Sequence, residues 1–316
     1  MSNRVVMLNY EYADLTHERE MLAAHNLEFE AGQCPTEDDI IAFAKGALGI
    51  INVYARITPR VAEALRGCKV MVRTGVGYDL IDVAACRANG IEVCNVPDYC
   101  INEVSDHAVG LLLAVQRKIF QHHRNVQAGI WDYKLVGPVR RLNELTLGLI
   151  GMGRIGRRFA AKMREMVPTI LVYDPYAPKE AFESLGVQPA TLEEIFQRCD
   201  LISLHTPLTA ETRHMISAEA IAKMERKPIL INVSRGGLVD TDALIAGLRA
   251  GQISGAGIDV LENEPNIPDG LADFDNVIVN PHASWYSTDA EMETRTRALE
   301  DVIRVIEGNP PRNPVP

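Results

Sequence analysis

The sequence predicts an α/β protein made of two units, each built on a parallel sheet. Short β-branched runs alternate with helical segments from residue 4 onwards, which is the pattern of repeated βα units. A second series of such units starts at Leu145, after a long apolar helix. The length of 316 residues also favours two domains, at roughly 150 residues per domain.

The first series is predicted to contain five strands and four helices. Its third helix is the best marked, because Thr58 can cap it, Pro59 suits its first turn and Gly67 can end it. The other helices are expected near residues 15–25, 37–46 and 80–88, and the strands near 5–8, 27–30, 49–53, 69–73 and 91–95.

A long apolar helix separates the two series. Pro97 breaks the earlier pattern, and the helix opens with polar residues from Glu103 before its apolar run. It is either a core helix or one that bridges two domains or two subunits. Residues 121–144 are predicted to be irregular, and the second series has strands near 146–150, 169–173, 200–204, 229–233, 254–259 and 276–280.

Composition limits the partners of this protein. Hydrophobic residues at 47% and charged residues at 23% are typical of a globular protein. The net charge of −10 disfavours direct nucleic-acid binding and anionic lipid surfaces. The six cysteines show no metal-type spacing, so we expect reduced thiols and no metal site.

The sequence also bears on localisation. Its first residues run straight into a predicted strand and lack the apolar core of a signal peptide. Its longest apolar runs are much shorter than the ~18 residues of a membrane span. We therefore expect a cytoplasmic protein that does not contact the membrane.

A glycine motif follows the first strand of the second series. Gly151, Gly153 and Gly156 form GxGxxG between a strand and a helix, the arrangement that holds a pyrophosphate at a helix N-terminus. Arg154 adds positive charge. Asp174 ends the next strand, where a carboxylate can bind an adenosine ribose and repel a 2′-phosphate, which favours NAD over NADP.

Candidate catalytic side chains follow other strands of the second series. His205 and His282 both lie after apolar strands, and spacing does not choose between them as proton donor. Arg235 is placed to hold a carboxylate in bidentate fashion. Glu264 can orient an imidazole, and Glu262 is equally plausible on chemistry alone.

Several segments in order, spanning essentially the whole chain, resemble the D-isomer-specific 2-hydroxyacid dehydrogenases. Those segments are Arg73-Thr-Gly-Val-Gly-Tyr-Asp-Leu-Ile-Asp-Val, Gly151-Met-Gly-Arg-Ile-Gly, His205-Thr-Pro-Leu-Thr-Ala-Glu-Thr, Asn232-Val-Ser-Arg-Gly-Gly-Leu-Val-Asp, Gly257-Ile-Asp-Val-Leu-Glu-Asn-Glu-Pro and Pro281-His-Ala-Ser-Trp.

The resemblance implies an NAD-dependent oxidoreductase that interconverts a 2-oxo acid and a D-2-hydroxy acid. It implies that Arg235 clamps the substrate, that His282 is the acid/base and that Glu264 is its carboxylate partner. It places Val76, Gly77 and Trp285 with Arg235 at the substrate. The implied cofactor-binding residues are Gly151, Gly153, Arg154, Ile155, Gly156, Asp174, His205, Thr206, Pro207, Thr212, Val233, Ser234, Asp259 and His282, with Asp259 near the nicotinamide amide.

The resemblance also implies a discontinuous fold of two doubly wound parallel-sheet domains. Residues 1–100 and 285–316 would form a flavodoxin-like substrate domain, into which a Rossmann coenzyme domain of residues 101–284 is inserted. The helix region 101–120 would form a homodimer contact.

Three shorter segments resemble the branch that contains the C-terminal-binding transcriptional corepressors and their bacterial relatives. They are Cys94-Asn-Val-Pro, Tyr173-Asp-Pro-Tyr and His282-Ala-Ser-Trp-Tyr-Ser. This suggests an alternative function, an NAD(H)-sensing binding protein with weak or vestigial activity. All three catalytic positions are filled, which favours an active enzyme.

Overall fold

The computed structural model describes residues 3–316, and the chain divides into two compact units. Unit 1 comprises the chain up to Tyr99 together with Ser287–Pro316. Unit 2 comprises Cys100–Tyr286. Each unit has its own parallel sheet, so the predicted fold class is confirmed.

The sheet of unit 1 has five parallel strands in the order β2-β1-β3-β4-β5, which is the flavodoxin-like order. The strands are β1 (Arg4–Leu8), β2 (Glu28–Gly32), β3 (Gly49–Asn52), β4 (Val70–Arg73) and β5 (Glu92–Asn95). The helices between them are α1 (Thr16–Ala23), α2 (Glu37–Ala44), α3 (Pro59–Ala64) and α4 (Val83–Ala88). Thr58 caps α3 as the sequence predicts, by accepting a hydrogen bond from the N–H of Val61.

The C-terminal segment packs within unit 1. Its helix α12 (Thr288–Ile306) contacts β3, β4 and α1. Arg295 of α12 donates to the buried carboxylate of Glu18 at 2.7 Å, and its guanidinium lies 4.5 Å from the centroid of the Tyr12 ring. Near the end of the chain, the N–H of Val315 donates to the carbonyl of Val93 at 2.9 Å.

The sheet of unit 2 has seven parallel strands in the order β12-β11-β10-β9-β6-β7-β8. The strands are β6 (Thr146–Ile150), β7 (Thr169–Tyr173), β8 (Gln188–Pro189), β9 (Leu201–Leu204), β10 (Ile229–Asn232), β11 (Gly255–Ile258) and β12 (Val277–Val279). Apart from the added β12, this is the Rossmann order. The direction of winding reverses between β6 and β9, where such sheets bind their ligands.

Helices cover the sheet of unit 2. They are α5 (Ile101–Gln116), α6 (Ile119–Gln127), α7 (Arg154–Met163), α8 (Lys179–Leu185), α9 (Leu192–Arg198), α10 (Ala218–Ala222) and α11 (Thr241–Arg249). The long helix α5 lies on β10 and β11. Glycines in β11 allow this approach, since a Cβ on Gly257 would lie 2.9 Å from Leu111 of α5. No helix among the described residues is both long and apolar enough to cross a membrane.

The prediction of an irregular segment over 121–144 is wrong at its start, because α6 is a helix over Ile119–Gln127. Lys118 has a left-handed backbone (φ 55°), which separates α6 from α5. None of the residues of α6 is buried. The helix therefore does not need the regular apolar stripe of a helix that packs on a core, and that stripe is the pattern by which helices are recognised in a sequence.

Candidate active site

A glycine-rich turn connects β6 to α7 at the carboxyl edge of the unit 2 sheet. Gly151 has a left-handed backbone (φ 97°), and a Cβ on it would lie 2.5 Å from the carbonyl oxygen of His205. A Cβ on Gly156 would lie 2.2 Å from the carbonyl oxygen of Gly151. By contrast, a Cβ on Gly153 would meet nothing within 4 Å. Gly151 and Gly156 therefore permit close backbone packing, whereas Gly153 borders open space.

The open space at Gly153 lies at the N-terminus of α7. Gly153 is the N-cap residue, and no side chain caps this helix end. The first N–H groups of a helix and its dipole favour an anion. Arg154 and Ile155 form the start of the helix, and Arg154 is exposed. The residues present therefore fit the pyrophosphate of a dinucleotide.

Two alanine substitutions should separate the roles of these glycines. We expect Gly153→Ala to leave thermal stability unchanged but to weaken NADH binding about tenfold, or ~1.4 kcal/mol, because the new methyl occupies ligand space. We expect Gly156→Ala to cost about 1–3 kcal/mol of stability, because its methyl meets backbone atoms. Thermal unfolding and fluorescence titration with NADH measure the two effects. Equal effects of both variants on stability would contradict this assignment.

Asp174 lies directly after β7, beside the glycine turn. Its Oδ2 accepts a hydrogen bond from the N–H of Met152 at 2.7 Å. Its Oδ1 accepts from the N–H groups of Tyr176 at 2.9 Å and Ala177 at 3.1 Å. These three donors hold the carboxylate next to the turn. Its negative charge is thus fixed where the resemblance places an adenosine ribose.

The other predicted cofactor-binding residues lie in four loops at the same edge of the sheet: His205, Thr206, Pro207 and Thr212 after β9, Val233 and Ser234 after β10, Asp259 after β11 and His282 after β12. In the first loop, Thr212 Oγ1 donates to the carbonyl of Pro207 at 2.7 Å, which closes the turn that follows Thr206. In the second loop, Val233 is buried, and Ser234 Oγ donates to the carbonyl of Leu204 at 2.9 Å.

His205 is enclosed behind the glycine turn. Its Nε2 lies 2.9 Å from Ser203 Oγ, and its ring centroid lies 4.8 Å from that of Phe159 in α7. Its Nδ1 is buried without a hydrogen-bond partner. Burial lowers the pKa of His205 to about 3. The ring is therefore neutral at neutral pH, which argues against His205 as the proton donor.

His282 forms a hydrogen-bonded pair with Glu264. His282 Nδ1 lies 2.8 Å from Glu264 Oε2, and both side chains are about a third exposed, at 34% and 38%. The N–H of Leu261 donates to Glu264 Oε1 at 2.9 Å. Burial tends to raise the pKa of Glu264, but the hydrogen bond and charge of His282, with Leu261 and Arg235, hold it below its ordinary value of 4.5. Glu264 is thus an anion at neutral pH.

Arg235 follows β10 and lies close enough to Glu264 for its positive charge to contribute to that lowered pKa. Its Nη1 donates to the carbonyl of Ser234 at 2.8 Å. The structure therefore brings Arg235, Glu264 and His282 together at one edge of the sheet of unit 2. A guanidinium can bind a carboxylate and an imidazole can transfer a proton, so this grouping is chemically suited to both tasks.

Glu262 binds a different histidine. Its Oε1 lies 2.6 Å from His214 Nε2 and 3.3 Å from Arg213 Nη2. Its Oε2 accepts a hydrogen bond from Thr241 Oγ1 at 2.9 Å. The two glutamates were equal candidates on sequence chemistry, and the geometry assigns Glu264 to His282.

The remaining predicted substrate-binding residues belong to different units of the chain. Val76 and Gly77 are in unit 1, in the loop after β4, where the side chain of Asn95 donates to the carbonyl of Val76 at 2.7 Å. Trp285 is in unit 2, three residues after His282, and its ring meets that of Tyr286 edge to face at 5.6 Å. Their role at the substrate stays a prediction.

His107 of α5 lies near this site, although the sequence does not single it out. His107 Nε2 lies 3.0 Å from Asn280 Oδ1 and 3.9 Å from Asp259 Oδ1. The helical pattern of α5 carries no signal for this contact, because it depends on how the helix lies across the ends of β11 and β12.

Comparison with known proteins identifies the family. Residues 109–284 match the family model described as "D-isomer specific 2-hydroxyacid dehydrogenase, NAD binding domain". The chain belongs to this family. It is therefore a member of a family of dehydrogenases and carries an NAD-binding domain, as the resemblance predicted.

Individual relatives agree with this assignment. The chain is 37% identical to a D-3-phosphoglycerate dehydrogenase of Methanocaldococcus jannaschii, over 91% of its own length and 55% of that protein, so it spans about half of that relative. It is 35% identical to a glycerate dehydrogenase of Methylorubrum extorquens, over 98% of both chains. A D-lactate dehydrogenase from Aquifex aeolicus, solved with NAD and lactic acid, superposes with a TM-score of 0.88 at 29% identity, over 96% of both chains.

Proposed function

We propose that this protein is an NAD-dependent dehydrogenase that interconverts a small 2-oxo acid and the corresponding D-2-hydroxy acid. The observation that carries the proposal is the hydrogen-bonded pair of His282 and Glu264 beside Arg235. This group lies at the same sheet edge as the glycine-rich turn. The printed names of the relatives support 2-hydroxy acids as the substrate class.

NAD supplies hydride transfer at the substrate carbon when it is bound, and the protein supplies the proton. During reduction, the carbonyl oxygen gains negative charge and must be protonated. The Nδ1 of His282 is held by Glu264, so Nε2 is the ring nitrogen that can donate to that oxygen. The Glu264 carboxylate fixes the orientation of the imidazole through its contact with Nδ1. In the oxidative direction, the neutral imidazole accepts the hydroxyl proton.

Arg235 is proposed to orient the substrate. A guanidinium can bind both oxygens of a carboxylate through two parallel hydrogen bonds, which fixes the adjacent carbonyl carbon as well as its charge. The charge of Arg235 contributes to the lowered pKa of Glu264, so the two groups interact electrostatically. Before substrate binds, the negative charge of Glu264 partly balances the positive charge of the guanidinium.

A panel of 2-oxo acids tests this function. Glyoxylate, hydroxypyruvate, pyruvate and larger apolar 2-oxo acids would each be incubated with NADH, with NADH absorbance as the readout and chiral analysis of the product. We expect turnover of at least one acid and a product of D configuration where the product is chiral. Tight NADH binding without turnover of any acid would instead support the NAD(H)-sensing alternative.

The carboxylate of Asp174 should set the cofactor preference. We expect the wild-type protein to prefer NADH, because this fixed charge repels a 2′-phosphate. Asp174→Asn should reduce the ratio of kcat/KM for NADH over NADPH about tenfold or more, since it removes the charge but keeps one acceptor oxygen. Steady-state kinetics with both cofactors measure the ratio. Equal use of NADPH and NADH by the wild-type protein would show that Asp174 is wrongly assigned.

We also propose a cytoplasmic homodimer. The apolar residues of α5 mostly face its own sheet, and its outer face includes Gly110, Leu113 and Ala114. The segment that follows α5 exposes large apolar side chains, including 90% of Trp131 and 74% of Tyr133. A second copy of the chain would cover this surface, so we extend the predicted 101–120 contact to residue 135.

The six cysteines are free and buried, which suits a reducing compartment such as the cytoplasm.

A further inference from the structure

The turn that carries His282 has an unusual backbone. His282 has a left-handed conformation (φ 54°), which a residue with a Cβ rarely adopts. It lies just beyond β12, and its neighbours Ala283 and Ser284 continue the same turn. The direction of the imidazole therefore depends on whatever holds this backbone in place.

One residue binds three consecutive N–H groups of this turn. The N–H of His282 donates to the main-chain carbonyl of Asp259 at 2.8 Å. The N–H groups of Ala283 and Ser284 donate to Oδ1 and Oδ2 of the same aspartate, at 2.8 and 2.9 Å. The two bonds to the carboxylate are charge-assisted, because successive N–H groups converge on an anion, and the bond from His282 to the neutral carbonyl adds a third attachment to the same residue.

The Asp259 carboxylate is itself buried and supported from α5. Its side chain is 0% exposed. His107 Nε2 lies 3.9 Å from Asp259 Oδ1 and 3.0 Å from Asn280 Oδ1, and the His107 ring is 29% exposed. An N–H of His107 thus points to the region between Asn280 and Asp259. Asn280 is the residue directly after β12, and Asp259 is the residue directly after β11.

We propose that Asp259 is the positioning residue for His282, and that His107 acts as its support from α5. Asp259 holds the left-handed turn, the turn directs the imidazole, and the imidazole meets Glu264. This inference rests on the proposed function of His282 as the proton donor. It is separate from the cofactor contact that the family resemblance implies for Asp259, because it acts on the protein backbone and needs no nicotinamide.

The decisive substitution is Asp259→Asn. An amide keeps the size of the side chain but replaces one acceptor oxygen with an NH2 group, and neither amide orientation can accept from both Ala283 and Ser284. We expect kcat for 2-oxo acid reduction to fall about 10²-fold, the usual effect of a misplaced catalytic group. The dissociation constant for NADH, measured by fluorescence, should change little.

A second readout does not depend on activity. In ¹⁵N-histidine NMR spectra of the protein without substrate, the Nδ1 proton of His282 should be visible because Glu264 holds it, with assignment by its absence in His282→Ala. We expect Asp259→Asn to weaken or remove this signal. If the wild-type protein reduces no 2-oxo acid but the signal still depends on Asp259, the positioning role stands and the proposed function fails.

Asp200→Asn is a matched control. Asp200 is also a buried carboxylate of unit 2 that accepts a backbone N–H, that of Thr146 at 3.0 Å, but it lies at the amino edge of the sheet. We expect Asp200→Asn to lower the stability of the protein without changing kcat or the NMR signal of His282. An Asp259→Asn protein with wild-type kcat and an unchanged His282 signal would overturn the proposal. So would one with weaker NADH binding as its sole defect.

The support from α5 gives an independent test if Asp259→Asn does not fold. His107→Leu removes the ring N–H, whereas His107→Gln keeps a donor of similar reach. We expect His107→Leu to lower kcat by a smaller factor than Asp259→Asn and to weaken the His282 signal, and His107→Gln to restore both. Equal kcat and equal NMR signals in both variants would contradict the role of His107 as a support.

Discussion

His282→Ala is expected to lower kcat for 2-oxo acid reduction about 10²–10⁴-fold, the usual contribution of positioned acid–base catalysis. In the proposed mechanism, the imidazole donates a proton to the oxygen as the carbon–oxygen double bond is reduced. Its Nδ1 is engaged with Glu264 at 2.8 Å, and its side chain is 34% exposed, so Nε2 can reach a substrate. NADH binding should persist, because the glycine-rich turn is unchanged.

The pH dependence gives a sharper form of this prediction. Reduction consumes a proton, so kcat should depend on pH. Glu264→Gln replaces the anionic partner of His282 Nδ1, which lies 2.8 Å away, with a neutral amide, so we expect the pH profile of kcat to change, with NADH affinity preserved. The pair has an acid limit as well. Because the pKa of Glu264 is depressed, its stabilising contribution is present above the ordinary value of 4.5 and is lost as pH falls through the lower folded value.

Two results would contradict this mechanism. Full activity of His282→Ala would exclude His282 as the acid, and a Glu264→Gln pH profile identical to that of the wild type would exclude the pair. His205→Ala is the matched histidine control, because His205 is enclosed and has a pKa of about 3. It should act mainly through cofactor affinity, since its ring packs behind the glycine turn.

Most of the fold could be predicted from the sequence because many of the strands, such as β3, β9 and β11, are short apolar runs buried along their whole length. The predicted strands near 146–150 and 169–173 coincide with β6 and β7. The two-residue β8 (Gln188–Pro189) was not predicted, because two residues carry no period. Helix α6 was missed for a related reason, since its apolar residues face outwards rather than towards a core.

The candidate site could be predicted as a set of residue types but not as pairs. His205 and His282 both follow apolar strands, and the contacts of their rings distinguish them: that of His205 packs against Phe159, whereas that of His282 pairs with Glu264. Glu262 and Glu264 are two residues apart, and the geometry of one loop gives the first to His214 and the second to His282. The contact of His107 with Asn280 joins residues 173 positions apart, so no local pattern indicates it.

Arg235→Lys is the second substitution with a large expected effect. Each charge-assisted hydrogen bond lost to a buried carboxylate costs about 1.5–3 kcal/mol, which is roughly 10- to 150-fold in kcat/KM. A lysine keeps the charge but presents a point ammonium in place of a planar fork, so it cannot form two parallel bonds. We therefore expect kcat/KM for the 2-oxo acid to fall by this factor, while the affinity for NADH stays close to that of the wild type.

The division of this loss between KM and kcat shows what Arg235 does. If the guanidinium only captures the substrate, KM rises and kcat is preserved; if it also orients the carbonyl, kcat falls too. We expect both, because Arg235 lies in the same group as Glu264 and His282, so a rotated substrate would move its oxygen away from the imidazole. Arg213→Lys is the matched control: Arg213 lies 3.3 Å from the other glutamate of this loop, Glu262, and the kinetics of this variant should not change. Unchanged kinetics in Arg235→Lys would place Arg235 outside the substrate site and leave its charge to act on Glu264 alone.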